Sequence, residues 1–279
     1  MLSAALAVAA VIASCSKTTF VYNQLDKIIP WYLNRLVSLD YEQEVLLDSL
    51  LQTLLDWHRT EELPTYKDLL VRLNNQLDGE IKEIHLMELE ERAELAWTRL
   101  ERRSLDGLLL LGSSLNSRQL DQFFDSLKKQ QAEYEEKYLI RNNAEFAKDA
   151  EEEILSFSKN YLGPLNASQI ESVKLASVQL KRSDQIWLSE RARWLDRVQI
   201  IMARNRGWED KMRNLILTRD ANLSEDYRSV YDRNASVIRA VFVELLNSAS
   251  EKQKQKLKRK IARWIDDISS LVDLPIKNP

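Results

Sequence analysis

Five glycines and five prolines in 279 residues leave this chain few places to turn. Gly and Pro punctuate hairpins and tight loops, so their scarcity argues against most β architectures. The remainder is rich in Leu, Ala, Glu, Lys, Arg and Gln, the strongest helix formers. Apolar residues recur at three- and four-residue steps, the period of one helix face. Leu46, Leu47, Leu50, Leu51, Leu54 and Leu55 form one such stripe, closed by His58. A second runs through Ile81, Ile84, Leu89, Leu95 and Leu100, with His85, Glu88 and Arg92 mixed in. Three more run from Trp187 to Met202, from Val237 to Leu245 and from Leu257 to Val272. No stretch alternates with the period of two that a strand requires. The expected fold is all-α: a multi-helix bundle of antiparallel helical hairpins, because long helices joined by short turns pack on their sequence neighbours.

The expected breaks are few. Pro30 reads as a first-turn proline. Leu63-Pro64 ends one helix and begins another, since Pro is tolerated at the first helical position. Gly107 and Gly112-Ser113-Ser114 end the segment that begins near Gly79. Gly163-Pro164 is the sharpest break and the expected waist of one continuous body. Turns are also expected at 222–224 and 247–250.

One phrase recurs at these turns: Leu39-Asp40-Tyr41-Glu42-Gln43, Leu115-Asn116-Ser117-Arg118-Gln119 and Leu165-Asn166-Ala167-Ser168-Gln169, with a looser copy in Ser250-Glu251-Lys252-Gln253. Each reads as a helix start. Asp, Asn or Ser accepts from free backbone N–H groups, Gln at the third helical position bonds back, and the preceding Leu staples onto the first turn. The three full copies lie 76 and 50 residues apart, which excludes a regular solenoid. The phrase resembles the Leu-Thr-x-x-Gln motif of small periplasmic stress chaperones, all-helical cradles that bind unfolded proteins. Here Asp or Asn stands where those proteins have Thr.

Residues 1–14 are almost wholly apolar and end in Ile12-Ala13-Ser14 before Cys15. Fourteen helical residues reach about 21 Å, short of the ~30 Å hydrocarbon core, so the segment is too short to span a bilayer. Small residues followed by Cys resemble the lipobox of bacterial lipoproteins. That resemblance implies a signal peptide at 1–14, cleavage before Cys15, and acylation of Cys15 with palmitate-type chains. Ser16, where Asp would retain the protein at the inner membrane, implies the periplasmic face of the outer membrane. Residues 15–38 are then an anchor with a short N-terminal helix, and residues 39–279 the helical body. Cys15 is the only cysteine, so the mature body has no disulfide and no free nucleophilic thiol. Cys15-Ser16, Val21-Tyr22-Asn23, Asp26, Trp31-Tyr32, Leu39-Asp40, Gln43, Trp57-His58-Arg59 and Glu62-Leu63-Pro64 together resemble an uncharacterised lipoprotein family of Gram-negative bacteria. That family is a domain of unknown function. It implies the anchor and the helical fold, and brings no activity with it.

Candidate chemistry is sparse. His58 and His85 are the only histidines, each followed three residues later by a glutamate, Glu61 and Glu88. That spacing puts each pair on one helix face, and two such faces packed together would make a metal site. Carboxylate-bridged di-iron bundles use the opposite order, Glu-x-x-His. We therefore expect packing roles for these four residues, and no metal or other cofactor. There is no Gly-x-Ser-x-Gly elbow. Glu171-Ser172 matches the catalytic pair of helical lytic transglycosylases, but plain helix, Val173-Lys174-Leu175-Ala176, replaces the Gly- and Met-rich sequence that follows it there. No enzymatic activity is expected.

Two basic features remain. Trp187, Arg191, Arg193, Trp194, Arg197, Arg204, Arg206 and Trp208 interleave cations with indoles, read as a core helix whose Arg stems pass buried rings. Near the C-terminus Lys254, Lys256, Lys258 and Lys260 crowd an amphipathic helix. They are the candidates for contact with an anionic surface if they are not simply solvated. A net charge of −3 gives no reason to expect nucleic acid. The expected function is a membrane-anchored binding or chaperone-like module that engages envelope proteins or anionic envelope polymers. The alternative is a structural or ligand-binding envelope factor for metal or lipid.

Overall fold

The computed structural model describes residues 17–273, so the apolar segment 1–14 expected to be a signal peptide, and Cys15, expected to be the acylation site, lie outside the described residues. Regular structure among the described residues is helical throughout, with no strand. In chain order the helices are α1 (Lys17–Tyr22), α2 (Leu25–Asn34), α3 (Tyr41–Trp57), α4 (Leu63–Gln76), α5 (Glu83–Ser114), α6 (Ser117–Leu139), α7 (Asn143–Leu162), α8 (Ala167–Ser177), α9 (Asp184–Ile201), α10 (Trp208–Leu217), α11 (Glu225–Asn247) and α12 (Glu251–Asp273).

Helix starts follow the capping logic of the sequence. Asp40, Asn116 and Asn166 each accept the backbone N–H three residues on, while Gln43, Gln119 and Gln169 reach back to the cap N–H. Asn142 and Glu145 form the same box at α7, a copy the recurring phrase does not include. Each satisfies backbone donors that a helix end otherwise leaves bare.

Three breaks differ from expectation. Pro30 lies inside α2, not in its first turn. Leu63-Pro64 does not separate two helices: α3 passes through a π-helical turn, His58–Glu62, directly into α4. The Leu63 N–H donates to the His58 carbonyl, five residues back. Pro64 has no N–H to give, and its ring would crowd the carbonyl four residues before it, so a widened turn lets the helix continue past it. Gly107 sits within α5 rather than at its end, where a Cβ would come within 3.1 Å of Leu50 Cδ2. It permits close approach of α3 and α5. Gly163 does end a helix, with φ of +92°, a value that glycine adopts without strain.

The core is built twice on one plan. Helices α2, α3, α5 and α6 form a first unit, and α7, α8, α11 and α12 a second. In both, the second helix packs on the first and on the third. Residues in and between the first two helices match those 126 positions later: Leu36 with Leu162, Leu39 with Leu165, Leu47 with Val173. Residues of the last two match those 134 positions later: Leu111 with Leu245, Leu115 with Ala249. Apart from Leu39 and Leu165, which are half-buried, all of these are buried. The recurring phrase therefore does mark a repeat, but the repeating object is a pair of phrases. Helix α4 is inserted between the members of the first pair, and α9 and α10 between those of the second. Helix α12 lies along α4, so Leu77, Ile81, Tyr161, Ile261 and Trp264 form one cluster across the two units.

Candidate functional site

The four phrase glutamines meet in two pairs. Gln43 Nε2 donates to Gln119 Oε1 at 3.1 Å, and Gln119 Nε2 returns a bond to Gln43 Oε1 at 2.6 Å. The second proton of each amide goes to a carbonyl five residues before its partner: Gln43 to Ser114 O at 2.8 Å, Gln119 to Ser38 O at 2.8 Å. Each Oε1 also accepts its own cap N–H, from Asp40 at 3.0 Å and Asn116 at 2.9 Å. In the second unit Gln169 and Gln253 exchange bonds of 3.3 and 3.0 Å. They donate onward to Ser248 O at 3.4 Å and Pro164 O at 2.8 Å, five residues before the partner as in the first unit. Asn166 and Ser250 supply the cap N–H bonds at 3.1 and 2.9 Å. All four glutamines are buried. Every amide hydrogen and acceptor position is used, the condition under which a buried polar network stabilises rather than costs.

Equivalent positions fasten these turns further. Three and seven residues beyond Gln119, Gln122 bonds the Ser38 N–H at 3.0 Å and Ser126 Oγ donates to Leu36 O at 3.0 Å. Three and seven residues beyond Gln253 stand Lys256 and Lys260. Lys256 Nζ donates to Lys159 O at 3.1 Å, and Lys260 Nζ donates to Asn160 Oδ1 at 2.9 Å while lying 4.3 Å from the Tyr161 ring centroid. Lys260 is 5% exposed, and Lys258 pairs with Asp78. Of the four candidate surface lysines, three are thus engaged within the protein. Lys254 is half-buried, and the basic residues exposed on α12 are Lys252, Arg259 and Arg263.

The histidines lie in separate places. His58, in the π turn, stands between two phenols: Tyr22 Oη at 3.0 Å from Nδ1 and Tyr66 Oη at 3.4 Å from Nε2. Burial pushes its pKa below the usual 6.5, opposed by the charge of Glu62. Burial pushes both tyrosines up to about 12. Glu62, 2% exposed, takes a bidentate pair from Arg99 at 2.5 and 2.8 Å, and that bonding raises the Arg99 pKa. Glu61 turns outward and accepts from Trp57 Nε1 at 3.0 Å. His85 caps α5 by accepting the Lys82 N–H at 3.2 Å, and Glu88 pairs with Arg92 at 2.9 Å. The structure therefore does not bring His58, Glu61, His85 and Glu88 together. Among the described residues no group of three or more His, Cys, Asp or Glu has metal-holding geometry.

Ser172 bonds Glu244 rather than serving Glu171. The Trp and Arg series is built into the body: Trp208 is buried, Trp194 packs on the same cluster, and Arg191 lies 5.2 Å over Tyr134 and bonds Gln131. Arg204 donates to Ser113 O at 2.8 Å and also to Leu115 O, closing the turn beside the first glutamine pair.

Large apolar side chains remain exposed. Helix α5 leaves Ile84, Met87, Leu95, Trp97, Leu108 and Leu110 open to solvent, and α2 leaves Ile28, Trp31 and Tyr32. No helix among the described residues is long and apolar enough to cross a membrane. Curated proteins and solved structures give no match to this chain. Residues 35–228, more than half of the sequence, match a family described as of unknown function, DUF6279. This span runs from the end of α2 to the start of α11 and holds three of the four glutamines, and the chain belongs to that DUF6279 family.

Proposed function

We propose that this chain is an outer-membrane lipoprotein that binds apolar segments of envelope proteins in a chaperone-like way. In this reading residues 1–14 are removed as a signal peptide and Cys15 carries the acyl anchor. The body hangs in the periplasm as a set of antiparallel helical hairpins. The observation that carries the binding role is α5. It leaves six large apolar side chains exposed, more than any other helix among the described residues. Exposed apolar surface of this kind serves association. The paired capping boxes support the reading by their resemblance to the Leu-Thr-x-x-Gln chaperones. They hold helix ends rigidly, so α5 keeps its apolar side chains presented without collapsing around them.

The test uses the full-length acylated protein in mild detergent, mixed with a chemically unfolded apolar client whose aggregation is followed by light scattering. Wild type should suppress aggregation. Leu95→Ser, Trp97→Ser and Leu108→Ser combined should lose that suppression with helicity unchanged. Equal suppression by wild type and variant would remove α5 as the binding face, and none by wild type would remove the chaperone reading.

A further inference from the structure

Helix α2 is apolar nearly all round: Ile28, Ile29, Pro30, Trp31, Tyr32 and Leu33 are consecutive. One side is used, with Ile29 and Leu33 packed on the cluster of Leu47, Leu51 and Leu111. The other side is bare: Ile28, Trp31 and Tyr32 are 40, 61 and 51% exposed. A helix apolar on both sides is ordinarily covered on both. The repeat shows this directly. The equivalent positions of α7 are Ile154, Phe157 and Ser158, and none of them is exposed. Phe157 lies with ring centroids 4.4 Å from Tyr161 and 5.5 Å from Phe242. The same face is therefore a packing face in the second unit and lacks its cover in the first.

The composition of the bare face and its place in the chain identify the cover. Trp and Tyr rings favour the boundary between hydrocarbon and water. Arg35 lies 5.3 Å over the Trp31 ring, and Lys27 is exposed on the same helix, so cations flank the aromatic stripe. Only Ser16 separates Cys15 from α1, which places the start of α1 within about 7 Å of an acylated Cys15. Helix α2 follows α1 after a two-residue turn, Asn23-Gln24, and Phe20 on α1 is itself exposed. We infer that the face of α2 formed by Ile28, Trp31 and Tyr32 rests on the anionic phospholipid surface in which the acyl chains of Cys15 are inserted, with Lys27 and Arg35 at the headgroups. The anchor then becomes a two-point attachment, acyl chains plus an interfacial helix, that fixes the orientation of the body.

The inference rests on the lipoprotein reading, and the experiment separates the two. Full-length protein is reconstituted in phosphatidylethanolamine–phosphatidylglycerol vesicles, and acylation of Cys15 is read from the mass of the N-terminal peptide. Trp31→Cys or Ile28→Cys carries a nitroxide, specific because the native thiol is consumed by the anchor. Val178→Cys, just past the end of α8 and 67% exposed, is the aqueous control. The labels on α2 should shift toward accessibility to oxygen and lose accessibility to a water-soluble nickel chelate, while the control does the reverse. An acylated protein whose α2 labels stay as water-accessible as the control overturns the contact and leaves the anchor standing. Spin–spin broadening between α2 labels assigns the face to a second copy and overturns it equally. An unacylated Cys15 overturns both readings. Two label positions guard against one substitution disturbing the fold, which circular dichroism checks.

Discussion

Gln43 and Gln169 stand at equivalent positions and make equivalent bonds, yet their surroundings differ. In the second unit the matching faces of α7 and α11 are closed, with Val173 and Leu245 wholly buried, although α8 still exposes Ile170 and Leu175 on its outer side. Around Gln43 the first unit is open on α2 and along α5, where Trp31 and Leu108 face solvent. Phe157 and Phe242, which occupy the matching positions of the second unit, are half-buried and meet edge to face. One scaffold thus serves two ends. The second copy is finished as a core, and the first leaves the matching positions free to meet something outside the chain. The repeat conserves geometry more than chemistry, since Gln122 and Ser126 in one unit are replaced by Lys256 and Lys260 in the other at the same fastening positions.

The largest test of that contrast is a matched pair of truncations. Leu245→Ala removes a side chain with no exposed surface in a closed core and should cost ~2–5 kcal/mol. Leu111→Ala, its equivalent beside the open face, should fall at or below the low end of that range, because the site has room to relax. Urea midpoints for the two variants measure it. Equal losses would erase the distinction between a closed and an open unit.

Next come the glutamines. Gln169→Ala leaves Gln253 and two backbone groups without partners in a dry site, a loss of ~1–3 kcal/mol. Gln43→Ala strips the same bonds from Gln119, which is as deeply buried, and the loss should be of the same size. A double-mutant cycle on each pair gives the coupling directly. Coupling near zero in both would mean the reciprocal bonds are geometry without energetic weight.

These outcomes bear on what the sequence disclosed. The all-helical class was legible because period and Gly/Pro scarcity are local properties. The capping glutamines were legible one at a time, since a capping box is a four-residue object. Their pairing was not: Gln43 and Gln119 are brought together only by the packing of α3 on α5. The π turn was misread for a related reason. Pro64 normally starts a helix, and only tertiary packing of α4 against α12 makes it favourable to carry α3 through. Lys256, Lys258 and Lys260 read as a surface run because charge seldom goes inside, yet their stems and ammonium groups close turns on α7 and pair with Asp78. The face of α2 was invisible for the opposite reason, because an apolar stripe is ordinarily core.

The fasteners give a smaller effect. Replacing Lys256 by Gln and Lys260 by Ser gives the second unit the chemistry of the first. The cation lying over Tyr161 is lost, and such a contact is worth ~0.5–2 kcal/mol depending on desolvation. Thermal unfolding should show a modest loss with helicity unchanged. No change would mean that the two chemistries are interchangeable at these positions. A loss as great as that of Leu245→Ala would mean that Lys260 belongs to the core proper.

The smallest effect belongs to the junction between α1 and the π turn, which has no counterpart in the second unit. A phenol oxygen can donate or accept, so the bonds to Tyr22 and Tyr66 suit either protonation state of His58, and burial alone sets the preference for the neutral ring. Its folded pKa lies below the unfolded 6.5 because burial penalises the imidazolium more than Glu62 rewards it. Above 6.5 both states are neutral and pH does not matter. As pH falls below 6.5 the unfolded chain takes up a proton that the folded chain refuses, so stability declines until the folded value is passed. His58→Gln keeps a donor and an acceptor without a titration, and should flatten the decline between wild-type midpoints at pH 7.5 and pH 5.5. A decline that persists unchanged in this variant would assign the acid sensitivity to other groups and leave His58 a packing residue.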